Sequence, residues 1–336
     1  MKKLFKPFGS IEKEAEMLRG IVDVIGIQGN SKKQKWDEII KKLTISNILL
    51  ADIDINVNEE LLSYARSLYA IVCRSIGVDF VDVKLASEKG ILVVNSPDFC
   101  VISVAEFTIG LMISLLRRIP EGISAVSQGK WELRTNLKGA EITGKVLGII
   151  GFGKIGREVA VRAKGLGMEV IVFDPYVTTS PQDNKNYRYV DSIEMLLKQS
   201  DVVTIHTPLT ASTRGLIGMS EISMMKDGAY LINVARGGII DEMAVYEALR
   251  SEKLAGAALD VLTQEPPGEE HIFMNKEINN LLITPHIAWN TVEASKRNKE
   301  IFIEQISSIV NGEIPRGVVN PEVIPAWKDK LKKCKS

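Results

Sequence analysis

The sequence predicts an α/β protein made of two doubly wound parallel-sheet domains. Three observations carry that prediction. Short apolar runs of strand length alternate with segments of helical period, the pattern of parallel sheets covered by helices. Near the middle, the β-branched run 146–150 turns through Gly151, Gly153 and Gly156 into a helical segment. The chain is 336 residues long, about two domains' worth.

In the first hundred residues, 22–27, 47–51, 70–73 and 91–94 read as short buried strands. Between them 33–43, 58–68 and 81–89 carry helical periodicity. A long helix over 103–118 leaves this first domain and enters a second. There, strands are expected at 146–150, 169–173, 202–205, 230–233, 255–259 and 281–284, with helices after the Gly-rich turn, at 191–198 and at 242–251. From Val292 an amphipathic helix, with Ile301, Ile306, Ile309 and Val310 inward, runs to a turn at Gly312. Its return to the first domain would make that domain discontinuous: 1–100 with 292–336, around a second domain of 101–291.

Composition excludes several classes. Hydrophobic residues make up 45% and charged residues 25%, the make-up of a soluble globular protein. Lys+Arg and Asp+Glu both number 42, so nothing marks a nucleic-acid footprint. The lysine clusters at 32–35 and 328–335 read as solvated faces. Cys73, Cys100 and Cys334 are odd in number and scattered, against a disulfide framework and in favour of a reducing cytoplasm. Glutamates at 12, 14 and 16 interrupt any leader-like apolar stretch, and the apolar run 109–116 is too short to span a bilayer. A soluble protein with no membrane partner and no metal is expected.

The Gly-rich turn has a specific physical logic. Gly151 permits the tight turn, Gly153 lets backbone approach a pyrophosphate, and Gly156 lets helix and strand pack closely. The helix N-terminus offers unpaired N–H groups and partial positive charge to phosphate. Eighteen residues after Gly156, the next strand delivers Asp174, placed to accept hydrogen bonds from a ribose 2′-OH. An acid there repels a 2′-phosphate, so the expected cofactor is NAD rather than NADP.

Other strand ends carry charge. His206-Thr-Pro ends one strand and Thr284-Pro-His286 another, while Arg236 and the acids Asp260 and Glu265 follow two more. Strand C-termini of one sheet converge on one cleft. Hydride transfer to a 2-keto acid needs its carboxylate held, its carbonyl polarised and a proton delivered to oxygen. Arginine offers a two-pronged donor for those oxygens. A histidine moves the proton near neutral pH, and a glutamate on its far nitrogen fixes the tautomer. Arg236, His286 and Glu265 can fill these roles. His206 reads as structural, beneath the cofactor, Asp260 as cofactor-side or arginine-orienting, and Trp131 and Trp289 as core or wall.

The ordered segments GFGKIG, VFDPY, HTPLTAST, NVARGGIIDE, GAALDVLTQEPP and ITPHIAWNT closely resemble the D-isomer-specific 2-hydroxyacid dehydrogenases. So do SIGVDFVDVKLASEKGILVVNSP and VAEFTIGLMISLLRRIPEG, and the resemblance covers about 60–320. It implies a central Rossmann NAD-binding domain and a discontinuous flavodoxin-like substrate domain that closes over it. It implies an Arg236, Glu265, His286 triad and a substrate carboxylate held by backbone N–H groups near Ile76 and Gly77. Cofactor contacts are implied for Lys154, Ile155, Asp174, Thr207, Val234, Ala235, Arg236, Asp260 and His286. It also implies a homodimer paired through the NAD domain, with the long helix near 104–118 in the interface.

The family acts on phosphoglycerate, hydroxypyruvate, glyoxylate, D-lactate, formate and phosphite. Glu265 resembles the Glu–His rather than the Gln–His subgroup, which sets formate aside. The chain ends near 336, so a C-terminal regulatory domain of long phosphoglycerate dehydrogenases is not expected. PHIAWNT resembles the hydroxypyruvate/glyoxylate enzymes, whereas the Arg74-Ser-Ile-Gly loop looks lactate-type, and Arg74 could reach a second acidic group on a substrate. Hydroxypyruvate or glyoxylate is the first expectation. A short phosphoglycerate or a D-lactate enzyme comes next, and an NAD(H)-sensing corepressor-type binding protein last.

Overall fold

The structure, a computed structural model, describes residues 2–27, 35–52, 54–176, 187–274 and 278–333. The chain divides into two compact units, Met1–Phe99 with Val292–Ser336, and Cys100–Thr291. Part of the lysine cluster at 32–35 and Cys334 lie outside the described residues.

In the split unit, β1 (Lys3–Lys6), β2 (Asp23–Gly26), β3 (Ile48–Ala51), β4 (Ala70–Cys73) and β5 (Leu92–Val94) form one sheet in the order β2-β1-β3-β4-β5. Every pairing is parallel, and the order is that of flavodoxin-like sheets. Four helices connect these strands: α1 (Glu12–Met17), α2 (Lys35–Thr44), α3 (Glu59–Ser63) and α4 (Val83–Glu88). Asn58 and Asp82 cap α3 and α4 by accepting from the N–H groups of Leu61 and Leu85. The helix expected over 58–68 stops at Ser63, because the chain must turn there to enter β4.

β1 was not expected from the sequence. Its two apolar residues sit between lysines, too short a run to show a period. Position explains the strand: it lies inside the sheet between β2 and β3, and Leu4 and Phe5 point to opposite faces, each fully buried.

The central unit contains α5 (Val101–Leu116), α6 (Ile119–Ser127), β6 (Val146–Ile150), α7 (Lys154–Gly165), β7 (Glu169–Phe173), β8 (Arg188–Tyr189), α8 (Ile193–Gln199), β9 (Val202–Ile205), α9 (Met219–Met224), β10 (Ala229–Asn233), α10 (Glu242–Arg250), β11 (Leu254–Leu259) and β12 (Leu281–Ile283). Its sheet runs β12-β11-β10-β9-β6-β7-β8, all parallel. That is the Rossmann order with a seventh strand. Strand order reverses between β6 and β9, so the cleft of such a sheet lies beyond their C-terminal ends. The helix expected to 118 ends at Leu116. Arg118 adopts φ 54°, and Pro120 then stands in the first turn of α6. The helices α6 and α9 hide behind Pro and Gly in the sequence.

The last two helices, α11 (Val292–Asn311) and α12 (Ile324–Lys333), belong to the split unit. Phe302, Ile306 and Ile309 of α11 and Trp327 of α12 bury against Leu4, Val24, Ile48, Val72 and Val94. Each of these aliphatic side chains removed from water contributes about 1.5–3 kcal/mol. The C-terminal segment therefore completes the core that the first hundred residues begin. No described helix is long and apolar enough to cross a membrane.

Candidate active site

Because the seven strands of the central unit are parallel, all their C-terminal ends lie along one edge. The Gly-rich turn follows β6 there. Gly151 adopts φ 91°, and a Cβ on it would come within 2.7 Å of the His206 backbone. A Cβ on Gly156 would strike the Gly151 carbonyl. Gly153 differs: it is the extended N-cap of α7, and nothing lies within 4 Å of where its Cβ would be. That open ground lies at the N-terminus of α7, the end of a helix that carries its partial positive charge. Asp174, at the end of β7, accepts from Phe152 N–H at 2.7 Å and Tyr176 N–H at 2.9 Å. The acid is thus tied to the glycine turn it serves. A dinucleotide fits these residues: open backbone at Gly153 for the pyrophosphate and a carboxylate for the ribose.

His206 follows β9 and Thr207 stands beside it. The Thr204 hydroxyl hydrogen-bonds His206 Nε2 at 3.0 Å, and His206 N–H reaches the Ile150 carbonyl at 2.7 Å. Although part of the residue's surface remains accessible, desolvation pushes the imidazole down to about 3. A histidine held neutral this firmly is unsuited to proton transfer at neutral pH.

At the end of β10 the buried Asn233 closes the turn that carries Val234, Ala235 and Arg236. It accepts from Ala235 N–H at 3.0 Å and donates to the Arg236 carbonyl at 2.9 Å. Arg236 donates to the Ala235 carbonyl, and its positive charge is felt at Glu265. Asn233 was missed in the sequence, where a polar residue closing an apolar strand is the only signal.

Asp260, at the end of β11 and 1% exposed, faces the 284–288 loop. One carboxylate oxygen accepts from the Thr284 hydroxyl at 2.6 Å and Ile287 N–H at 2.9 Å, the other from Ala288 N–H at 2.8 Å. Its carbonyl accepts from His286 N–H. In this fold Asp260 anchors the loop that presents His286. That loop needs an anchor, because His286 sits at φ 53°, a region L-residues enter at a cost of order 1–3 kcal/mol.

His286 Nδ1 lies 2.7 Å from Glu265 Oε2, and Glu265 Oε1 accepts from Leu262 N–H at 2.8 Å. Desolvation pushes the Glu265 carboxyl up. The hydrogen bonds from His286 and Leu262 outweigh it, with the charges of His286 and Arg236, and hold it below the ordinary value. Glu265 therefore stays an anion. Among the described residues His286 Nε2 has no partner, so this nitrogen is the one able to exchange a proton.

Ile76 and Gly77 follow β4 in the split unit. The Asn95 amide donates to the Ile76 carbonyl and the Ser75 hydroxyl to that of Gly77, both at 2.7 Å. Arg74 is engaged within its own unit, 3.1 Å from buried Glu14, 3.2 Å from the Asn298 amide oxygen and over the Phe302 ring. Burial pushes the Cys73 thiol up, so it is inert. Trp131 is 66% and Trp289 38% exposed, so neither is core. Among the described residues no three His, Cys, Asp or Glu side chains gather as a metal site.

Residues 109–288 match the model of the D-isomer specific 2-hydroxyacid dehydrogenase, NAD binding domain. The chain is 41% identical over 299 residues to the D-3-phosphoglycerate dehydrogenase of Methanocaldococcus jannaschii, covering 89% of this chain and 56% of that protein. It is 39% identical over 296 residues to the hydroxypyruvate reductase of Thermotoga maritima, covering 88% of this chain and 94% of that one. It therefore spans little more than half the length of the first relative and nearly all of the second. Among solved structures, the D-lactate dehydrogenase from Aquifex aeolicus complexed with NAD and lactic acid superposes with a TM-score of 0.83 at 29% identity, over 93% of this chain and 96% of that one. The chain belongs to the D-isomer specific 2-hydroxyacid dehydrogenase family, and residues 109–288 are its NAD-binding domain.

Proposed function

We propose that this chain is an NAD-dependent oxidoreductase that moves a hydride reversibly between NADH and a small 2-keto acid, hydroxypyruvate or glyoxylate first. The observation that carries the reading is the His286–Glu265 contact at 2.7 Å, on the same strand-end edge as the Gly-rich turn and Arg236. Bound nicotinamide supplies or accepts the hydride. The chain's own residues do the rest. Arg236 grips the carboxylate and carbonyl oxygens of the keto acid and polarises the carbonyl. His286 holds a proton on Nε2 and gives it to that oxygen as the alcohol forms, taking it back in the reverse direction. Glu265 fixes Nδ1 as the other protonated nitrogen and stabilises the imidazolium. Gly151, Gly153, Lys154, Ile155, Gly156, Asp174, Thr207, Val234, Ala235 and Asp260 form the cofactor side.

Substrate choice rests on charge. Arg74, two residues before Ile76, is held by Glu14, a carboxylate it shares with Lys6, and by Asn298, so its guanidinium is occupied inside its own unit and is not left open for a phosphate. A second reading, 3-phosphohydroxypyruvate, draws support from the 41% identity to a phosphoglycerate dehydrogenase. A cytoplasmic homodimer completes the proposal. Its support is an apolar stripe at i, i+4 and i+7 of α6: Ile119, Ile123 and Val126 are 42, 66 and 58% exposed. Light scattering on the purified chain measures that state, and a monomer at micromolar concentration removes the dimer.

The deciding experiment follows NADH oxidation against hydroxypyruvate, glyoxylate, pyruvate and 3-phosphohydroxypyruvate, then repeats it with NADPH. Turnover with NADH, fastest on an unphosphorylated acid, is expected. Slow turnover on all four with tight NADH binding would turn the reading toward a cofactor-sensing binding protein. In Asp174→Ala the preference for NADH over NADPH narrows, since the carboxylate that repels a 2′-phosphate is gone.

A further inference from the structure

A second glutamate–histidine pair lies beside the one proposed for catalysis. Glu242, the first residue of α10, places Oε2 3.2 Å from His271 Nε2 and accepts from Thr263 N–H through Oε1 at 2.6 Å. Glu265 does the same one residue earlier, with Oε1 on Leu262 N–H and Oε2 on His286. Two carboxylates therefore hold consecutive N–H groups of one loop, and each gives its second oxygen to a histidine. The peptide between them has no slack on its other side. A Cβ on Gly237 would overlap the Leu262 carbonyl and Thr263 nitrogen, so the backbone next to Arg236 rests directly on that peptide.

The geometry also assigns the His271 tautomer. Phe273 N–H donates to His271 Nδ1 at 3.3 Å, so the proton resides on Nε2 and is donated to Glu242. Both ring nitrogens are thus occupied.

We propose that Glu242 and His271 are positioning residues: they lock the Leu262–Thr263 peptide, and through it the carboxylate that Glu265 presents to His286. The chain of contacts is continuous, from His271 to Glu242, to Thr263 N–H, across one peptide to Leu262 N–H, and on to Glu265 and His286. A catalytic constellation requires its supports to hold it within about half an ångström, and this pair supplies such a support. The inference rests on the triad reading for its consequence in turnover, and on geometry alone for its consequence in structure.

The test separates the two. Nitrogen-correlated proton NMR of the three imidazoles in the full chain reads tautomer and hydrogen bonding with no turnover required, and His286→Gln identifies the His286 signal. His271 is expected in the Nε2–H form, and the His286 Nδ1–H signal downfield, as a short bond to a carboxylate requires. His271→Phe keeps the ring and deletes the donor. It should move the His286 Nδ1–H signal upfield and speed its exchange, whereas His271→Gln, with a donor in the Nε2 position, should restore both. Where the unaltered chain turns over, His271→Phe should lower kcat ten- to a hundredfold, roughly the cost of an ångström-scale misplacement, while NADH affinity stays unchanged. Glu242→Ala should act in the same direction. Should it fail to fold, the Phe and Gln variants at 271 decide. An unmoved His286 signal in His271→Phe, or His271 in the Nδ1–H form, overturns the proposal. An inactive parent chain overturns the functional reading and leaves the NMR outcome to decide this one.

Discussion

The two glutamate–histidine pairs that share the Leu262–Thr263 peptide have the same chemistry in different surroundings. In one, Glu265 meets His286 Nδ1 at 2.7 Å, and a quarter or so of each side chain is open to solvent, 27% and 25%. In the other, Glu242 meets His271 Nε2 at 3.2 Å, with 14% and 11% exposed. A carboxylate partner alone does not make a histidine an acid–base group. What differs is the remaining nitrogen. His271 Nδ1 is closed by Phe273 N–H, whereas His286 Nε2 has no partner among the described residues. The backbone differs too: among histidines only His286 has a positive φ, in a loop that Asp260 must hold in place. The pair proposed to support has an ordinary backbone, and the pair proposed to react has a constrained one.

His286→Gln should lose at least about 100-fold in turnover with NADH binding retained, the typical contribution of a general acid. His271→Gln, which keeps the donor to Glu242, should stay within a few-fold of the parent. Equal losses at the two positions would show that the pairs are not functionally distinct.

The peptide they share can be probed next. In Gly237→Ala the new methyl has backbone on the far side and no flexible side chain to displace. The cost expected is about 2–3 kcal/mol, the upper part of the range for overpacking, seen as a lower urea midpoint together with slowed turnover. Unchanged stability and rate would mean that the loop yields freely and that the peptide transmits nothing.

How much of this contrast was legible in the sequence depends on what each residue contacts. The contact between the two residues proposed for catalysis was readable, because His286 and Glu265, like Arg236, follow strand ends, and parallel strands bring such ends together. The supporting pair was not. Glu242 looks like a helix-opening acid and His271 like a loop residue, and only the folded 260–274 loop joins them. Asp260 was noticed, yet its three hydrogen bonds to the 284–288 loop depend on a pairing of β11 with β12 that spacing alone does not reveal. The sheets follow the same rule. Strands such as β6 and β9 announce themselves as apolar runs, whereas β1, with two apolar residues, is a strand because of its neighbours on either side.

A smaller effect tests the carboxylate. Because Glu265 is held below its ordinary value of 4.5, the folded state binds its proton less readily than the unfolded chain does. Its contribution to stability is therefore complete above that value and is lost as pH falls through the lower folded value. Glu265→Gln should melt below the parent at pH 7, and the gap should close at pH values under 4.5. Turnover at neutral pH should fall by about tenfold, since a neutral acceptor still orients the ring but no longer stabilises its charge. A gap that stays constant with pH would mean that Glu265 is no more acidic in the fold than outside it.

The third histidine, His206, has no carboxylate partner among the described residues. His206 is pushed down to about 3 by desolvation, against an ordinary 6.5, and its hydrogen-bond partners are the Thr204 hydroxyl and backbone. Folding therefore requires the neutral ring. Its contribution is complete above 6.5 and declines as pH falls from there toward 3, because the unfolded chain takes up the proton first. The slope for one proton is at most about 1.4 kcal/mol per pH unit. His206→Gln keeps a polar atom near Thr204 without a titrating ring, so its urea midpoint should fall less steeply between pH 6.5 and 5.5 than that of the parent, by about 1 kcal/mol over the interval. Parallel curves would show that His206 protonates in place, and would remove the ground for setting it apart from His286 as a structural residue.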